Sequence, residues 1–187
     1  VIYDTAQGMD TLVSELSMLS KLSLDKVPFY FEKIKAKDFF EEYTAYAADT
    51  LGEAGIEFIY NFECDEDREI NIDPAQFRRV LNNLIDNSRK YGAEDGTAKI
   101  MLSVRNGENG HTEISIEDNG QGVPADERDK IFETFYRGDK ARTGHKNGSG
   151  LGLAITKQIT DRHGASIRAD ESELGGLKVI IDLPQAK

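Results

Sequence analysis

The sequence predicts a two-layer α+β domain in which helices lie against a sheet rather than winding through it. Three observations point there. Stretches with helical periodicity alternate with stretches of two-residue periodicity, but they do not repeat as regular strand–helix–strand units. Two pairs of strand-like segments are joined by glycine-bearing turns, one at Asn106–Gly110 and one at Gly175-Gly176. Hydrophobic residues make up 39% of the 187, which suffices for one ordinary domain plus an extra element.

Taken in order, residues 1–22 read as a helix. Ile2, Ala6, Met9, Val13 and Leu16 step alternately by four and three, with Leu12 and Leu19 widening the stripe. That is coiled-coil spacing, though an amphipathic helix packed on its own domain gives the same pattern over so short a stretch. Ser23 to Pro28 is a linker, and Pro28 to Lys35 alternates like a strand. Asp38 can cap a helix carrying Phe39, Phe40, Tyr43, Tyr46, Ala47 and Leu51, ended by Gly52 or Gly55. Ile56 to Phe62 is a strand, Glu63 to Glu69 a solvated charge run, and Ile70 to Ile72 a short strand. Asp73-Pro74 is a helix start, an N-cap followed by proline at the first helical position, and that helix runs to about Tyr91. Thr97 to Arg105 and Thr112 to Asp118 form the first hairpin. Ala125 to Phe135 is weakly helical, 138–148 polar, and Leu151 to His163 an amphipathic helix. Ser166 to Ala169 and Lys178 to Leu183 close the chain as the second hairpin.

Composition narrows the function. The net charge of −11 argues against nucleic acid, which would repel the chain and yield no counterion release. Positive charge is nonetheless gathered at Arg137, Lys140, Arg142, His145 and Lys146, a cluster that also suits a solvated loop. The one cysteine, Cys64, allows no intrachain disulfide and fits a reducing compartment. No apolar run nears the roughly 20 residues of a membrane span, and no signal peptide is present. The chain opens at Val1 in mid-pattern, as a piece of a longer protein would, so any membrane anchor would lie in the part before it.

Chemistry concentrates in short motifs. In the helix after Asp73, Phe77, Val80, Leu81, Leu84 and Ile85 make a buried face. Asn83, Asn87, Lys90 and Tyr91 share another, at spacings of four, three and four. Asparagine is a mediocre helix former, and its amide oxygen is a hard ligand suited to Mg²⁺ that also leans on phosphates. Asp118-Asn119-Gly120-Gln121-Gly122 follows a strand. Its carboxylate can accept from an amine such as that of adenine, but the same residues also make an ordinary turn. Gly148-Ser149-Gly150-Leu151-Gly152 opens a helix, where accessible backbone N–H groups can cradle an anion. It is neither a dinucleotide fingerprint nor a Walker loop.

Four blocks stand in fixed order: Asn83-Leu84-Ile85-Asp86-Asn87-Ser88-Arg89-Lys90-Tyr91, Asp118-Asn119-Gly120-Gln121-Gly122-Val123-Pro124, Ile131-Phe132-Glu133-Thr134-Phe135-Tyr136-Arg137 and Gly148-Ser149-Gly150-Leu151-Gly152-Leu153-Ala154. They resemble the asparagine, first glycine, phenylalanine and second glycine boxes of sensor histidine kinases, relatives of DNA gyrase, a heat-shock chaperone and MutL. The resemblance covers about Phe29 to Leu183. It implies a two-layer α/β sandwich of the Bergerat type, helices on one face of a mixed sheet, with an N-terminal stem helix. Residues 1–25 would be the C-terminal part of a dimerisation and phosphoacceptor stem with its linker, and residues 26–187 the catalytic ATP-binding domain.

The resemblance further implies ATP and Mg²⁺ as cofactors, with Asn87 on the metal and Asn83 close to metal and phosphates. Lys90 and Arg137 would meet phosphates, Tyr91 the ribose and phosphates, and Asp118 the adenine amine. Asn83, Lys90 and Arg137 are the candidates for a catalytic part. Gly120 and Gly122 would shape the base pocket, and Gly148, Ser149, Gly150, Leu151 and Gly152 would wrap the phosphates under a lid at 138–147. Gly175-Gly176 matches the last glycine box only loosely and receives no role. The family's acceptor histidine block is missing: His111 sits at a hairpin, His145 in the lid and His163 at a helix end, each read as a surface histidine.

The implied partners are the stem helices of its own kinase, in a homodimer, and a response regulator, with no membrane contact by this stretch and a cytoplasmic location. Two rivals stand beside this reading. A gyrase-type or chaperone-type ATPase would need a glutamate where this chain has Asn83. An ATP-sensing or dimerisation module would use the same binding residues without transfer.

Overall fold

The computed structural model describes residues 2–93, 96–137 and 149–186. Its elements are α1 (Ile2–Ser23), β1 (Glu32–Lys35), α2 (Ala36–Glu53), β2 (Glu57–Glu63), β3 (Glu69–Ile72), α3 (Pro74–Tyr91), β4 (Lys99–Asn106), β5 (Thr112–Asp118), α4 (Gly152–Arg162), β6 (Ser166–Glu171) and β7 (Leu177–Leu183). The main sheet has the order β2-β4-β5-β7-β6, and a small second sheet pairs β1 with β3. Only β2 and β4 run parallel; every other pair is antiparallel. The sheet is therefore mixed, because the chain crosses through α3 between β2 and β4.

Period-two alternation sets which face of the sheet is covered. Ile100, Leu102 and Val104 of β4, Ile114 and Ile116 of β5, and Val179, Ile181 and Leu183 of β7 are all buried on one face. Helices supply the other layer: Phe77, Val80, Leu81, Leu84 and Ile85 of α3, Phe39, Phe40 and Leu51 of α2, and Ile155 and Ile159 of α4 complete the same core. Each fully buried side chain of this size removes enough apolar surface to contribute about 2 kcal/mol. Because the period is two, Asp118 continues the face of Ile114 and Ile116. It is thus the strand's last inward residue and lies in the layer between sheet and helices.

Several local expectations are corrected. α2 begins at Ala36 behind Lys35, which gives no side-chain cap, so Asp38 lies in the first turn and favours the helix dipole instead. Tyr46 does not join the apolar face of α2; it is 73% exposed. β1 is confined to four residues, since its partner β3 is equally short. The stretch before Phe135 forms only a 3₁₀ turn at Lys130–Phe132.

The start of α3 follows expectation and goes further. The Asp73 Oδ1 accepts from Gln76 N at 2.9 Å and its Oδ2 from Tyr30 N at 2.8 Å, so one carboxylate caps the helix and ties the linker to it. His163, expected at the surface, is buried in the same node. Its Nε2 accepts from Asp73 N at 3.0 Å and its Nδ1 donates to Ile159 O at 2.7 Å, with Phe29, Phe31 and Phe77 edge-on around the ring. A ring that accepts at one nitrogen and donates at the other is neutral, and burial holds its pKa below the ordinary histidine value.

α1 is divided. Leu19 and Leu22 are buried where the helix meets α4, with Ser23 and Gln158 bonded across that contact. Met9, Leu12, Val13 and Leu16 remain exposed. Among the described side chains, from Met9 onward, the apolar stripe is thus used by the domain over its last turns. No described helix is long and apolar enough to cross a membrane.

Candidate active site

A cavity of about 520 Å³ opens between α3, the loop after β5, the segment 131–137 and the start of α4. Segments far apart in sequence meet on its wall: Asn83, Asn87, Lys90 and Tyr91 from α3, Asp118 and Gly122 from the first glycine block, Arg137, and Ser149, Gly150 and Gly152. Gly148 and the lid expected at 138–147 lie outside the described residues.

The end of the cavity around Asp118 is tightly built. Asp118 is buried, with Oδ1 accepting from Gly120 N at 2.9 Å and Leu177 N at 3.1 Å. Burial pushes its carboxyl above the ordinary range; those two N–H groups and the Ser88 hydroxyl pull it part of the way back. Asn119 locks the loop to the sheet, donating to Thr97 O at 2.7 Å and accepting from Lys99 N at 2.8 Å. Gly120 does not line the cavity. It sits where the loop crosses α3, and a β-carbon there would stand 2.1 Å from Tyr91 O. It shapes the pocket by allowing that crossing.

The pair Gly175-Gly176, to which the sequence assigns no role, lines the cavity with Leu177. A β-carbon on Gly176 would lie 2.2 Å from Asp118 Oδ1. Only glycine lets this turn lie on the carboxylate, while Gly176 N donates to Asp118 O at 3.0 Å. The adjacent glycines after a strand were the available signal, but they equally mark an ordinary hairpin.

The end of the cavity at Asn87, Lys90 and the start of α4 is more open. The Asn83 amide donates to Gly152 O at 3.1 Å and Thr156 Oγ1 at 3.3 Å, tying α3 to the start of α4. Asn87 makes no side-chain hydrogen bond among the described residues, and Lys90 is exposed at the cavity wall. α4 has no side-chain cap, so its first N–H groups are available to an anion. Ser149 Oγ accepts from Leu151 N at 3.1 Å, and Leu151 is itself fully buried core. Leu151, expected to help wrap the phosphates, is not on the cavity wall, and its N–H is taken by Ser149. Gly150 has φ +72° and abuts Phe135 and Tyr136, and Phe135 N donates to Gly150 O at 3.0 Å. The phenylalanine block is thereby fastened to the second glycine block. Phe132 is buried, whereas Phe135 is 57% exposed.

No group of three or more His, Cys, Asp or Glu residues suited to a metal occurs among the described residues. A neutral amide without a partner among the described residues, at the end of the cavity that also holds Lys90 and a helix N-terminus, fits a cation carried in largely by phosphates, as Mg²⁺ is. Neither His111 nor His163 lines the cavity; His111 pairs with Asp182 at 2.7 Å and His163 is spent in the core.

A buried acceptor at one end and a helix N-terminus with cationic side chains at the other define a nucleotide-binding domain of the ATPase class. The chain belongs to the histidine kinase-, DNA gyrase B- and HSP90-like ATPase family, whose model matches residues 72–187. It is 36% identical over 184 residues to the sensor histidine kinase WalK of Bacillus subtilis (strain 168), a match covering 98% of this chain and 30% of that protein. It is 31% identical over 182 residues to the sensor histidine kinase CpxA of Escherichia coli (strain K12), covering 97% and 38%. The chain thus spans about a third of the length of these relatives. Among solved structures it resembles the catalytic domain of the histidine kinase ThkA in a nucleotide-free form, with TM-score 0.70 and 23% identity over 85% of this chain and 100% of that one. It also resembles full-length ShkA in complex with AMPPNP, with TM-score 0.80 and 22% identity over 98% and 37%. At these identities the structural likeness bears on the fold.

Proposed function

We propose that this chain binds Mg·ATP and transfers its γ-phosphoryl group to a histidine of the parent kinase's stem, as a step of two-component signalling. The observation that carries the reading is the convergence of Asn83, Asn87, Lys90, Asp118, Arg137 and Gly150 on one cavity. In this reading residues 1–25 are the end of the stem and its linker, and residues 26–187 the catalytic unit. Asp118 accepts from the adenine amine. Tyr91 borders the ribose, and the N–H groups of Gly150 and Gly152 take the phosphates with Lys90 and Arg137. Asn87 holds Mg²⁺, which supplies neutralisation of phosphate charge when bound.

A neutral imidazole already carries the lone pair that attacks phosphorus, and the bond to the bridging oxygen of ADP breaks. The protein's work is therefore positioning and charge neutralisation. Asn83 supports this against ATP hydrolysis: an amide cannot take a proton from water, and its NH₂ group is committed to Gly152 and Thr156. The exposed stripe of Met9, Leu12, Val13 and Leu16 suits the stem of a second copy. A response regulator then receives the phosphoryl group, in the cytoplasm where ATP is supplied.

The test supplies this chain with labelled ATP and a separate stem fragment from its parent. Acid-labile phosphate is expected on a histidine of the stem, slowly, because the millimolar effective concentration of a tether is lost. Intact ATP binding with no transfer at high stem concentration rejects the kinase reading in favour of a binding module.

A further inference from the structure

Resting on the reading of Asp118 as the adenine acceptor, we infer that Glu117, its neighbour in the chain, is a positioning residue for base recognition. Successive residues of a strand point to opposite faces, so Glu117 belongs to the face turned away from the helices. On that face Arg105, Glu113 and Arg168 form partly exposed ion pairs. Glu117 differs from them: it is 1% exposed. A carboxylate withdrawn so far from water is tolerated only when its oxygens are matched by donors.

Its partners, two hydrogen-bond donors on Oε2 and a lysine charge beside Oε1, all come from the segment that reaches across to Asp118. Glu117 Oε2 accepts from Ser172 Oγ and from Glu173 N, each at 3.2 Å, and Oε1 lies 2.9 Å from Lys178 Nζ. Ser172 in turn organises the turn, accepting from Leu174 N at its hydroxyl (3.0 Å) and from Gly175 N at its carbonyl (2.9 Å), while its own N donates to Gly176 O. The far side of that turn carries Gly176 N to the Asp118 carbonyl and Leu177 N to the Asp118 carboxylate. Two neighbouring carboxylates thus grip one turn from opposite faces of the sheet. Glu117 fixes the turn, and the turn fixes the orientation of Asp118 through Leu177 N.

The experiment compares Glu117→Ala, Glu117→Gln and Ser172→Ala with the unaltered chain. It reads amide hydrogen exchange at Gly176 and Leu177, and the ratio of GTP to ATP dissociation constants by calorimetry. Glu117→Ala is expected to speed exchange at both amides and to lower the ratio about tenfold, the equivalent of one hydrogen bond to a charged group. Glu117→Gln should keep most of both, because one amide oxygen can still accept from Ser172 and Glu173. If Glu117→Ala does not fold, Ser172→Ala removes one arm of the grip and should lower the ratio by about threefold. Unchanged exchange overturns the grip. Faster exchange with an unchanged ratio overturns its part in recognition. An unaltered chain that does not distinguish ATP from GTP instead removes the reading of Asp118, and the role of Glu117 in recognition with it, whatever the exchange shows.

Discussion

The two ends of the cavity are built on opposite plans. At the base end the acceptor is buried, its Oδ1 already holds two backbone N–H groups, and glycines 120 and 176 bring backbone to within contact of it. At the phosphate end Asn87 is unengaged among the described residues, Lys90 is exposed, and the N-terminus of α4 has no side-chain cap. The difference teaches where selectivity and charge handling belong. On the proposed reading, a flat base is distinguished by groups that cannot move, so that a mismatched acceptor stays unpaired. A triphosphate, on the same proposed reading, brings its own charge and metal, so an exposed Lys90 and an uncapped helix N-terminus suit it better than a closed pocket.

If the base end is rigid, exchanging one atom should invert its preference. Asp118→Asn can keep its Oδ1 on Gly120 and Leu177 while turning an NH₂ group toward the base. ATP binding should fall and GTP binding rise, a combined swing of about a hundredfold from two mismatches of roughly 1–2 kcal/mol each. Calorimetry with both nucleotides measures it. Equal losses for ATP and GTP would show that the carboxylate serves only to hold the turn.

The same rigidity should make Gly176→Ala costly without any ligand. The added methyl collides with Asp118, a clash worth about 1–3 kcal/mol, seen as a lower midpoint in urea. Gly152→Ala, whose β-carbon would meet nothing within 4 Å, should leave the midpoint close to the original.

The open end should respond to metal rather than to packing. Asn87→Ala should weaken ATP binding by about tenfold in Mg²⁺, the loss of one charge-assisted contact, with little change in EDTA. Equal losses in both conditions would remove Asn87 from the metal.

The smallest effect concerns pH and lies outside the cavity. The folded chain holds His163 neutral, with its pKa below the unfolded value of about 6.5. Below that pH the unfolded chain binds a proton that the folded chain refuses, so stability present above pH 6.5 is lost as pH falls. The loss is at most about 1.4 kcal/mol per pH unit. His163→Gln should show a shallower fall in melting temperature between pH 7 and 5.

Much of this was legible along the chain. The face of α3 follows from spacing alone, because 3.6 residues per turn bring Asn83, Asn87, Lys90 and Tyr91 together. The start of α3 is written in Asp73-Pro74, since a proline lacks the N–H that the first turn would leave unused. The strand ending at Asp118 was also legible, but that its carboxylate turns inward is seen only in the fold. Local rules of this kind need no knowledge of distant residues, so the sequence by itself determined most of the long elements, the ridge on α3 and the order of the motif blocks, while the short β1 and the 3₁₀ turn at Lys130–Phe132 escaped it.

Tertiary structure decided what depends on which segments meet. Gly175-Gly176 read as a hairpin turn until β7 paired with β5 and laid that turn on Asp118. His163 read as a helix-end surface residue until β1's approach packed Phe29 and Phe31 around it, and α3 offered it an N–H from Asp73. Glu117 carries no signal along the chain, and its burial follows only from the segment at Ser172 closing over it. Burial and hydrogen-bond partnership are properties of contacts between residues far apart in the chain, and no local pattern encodes them.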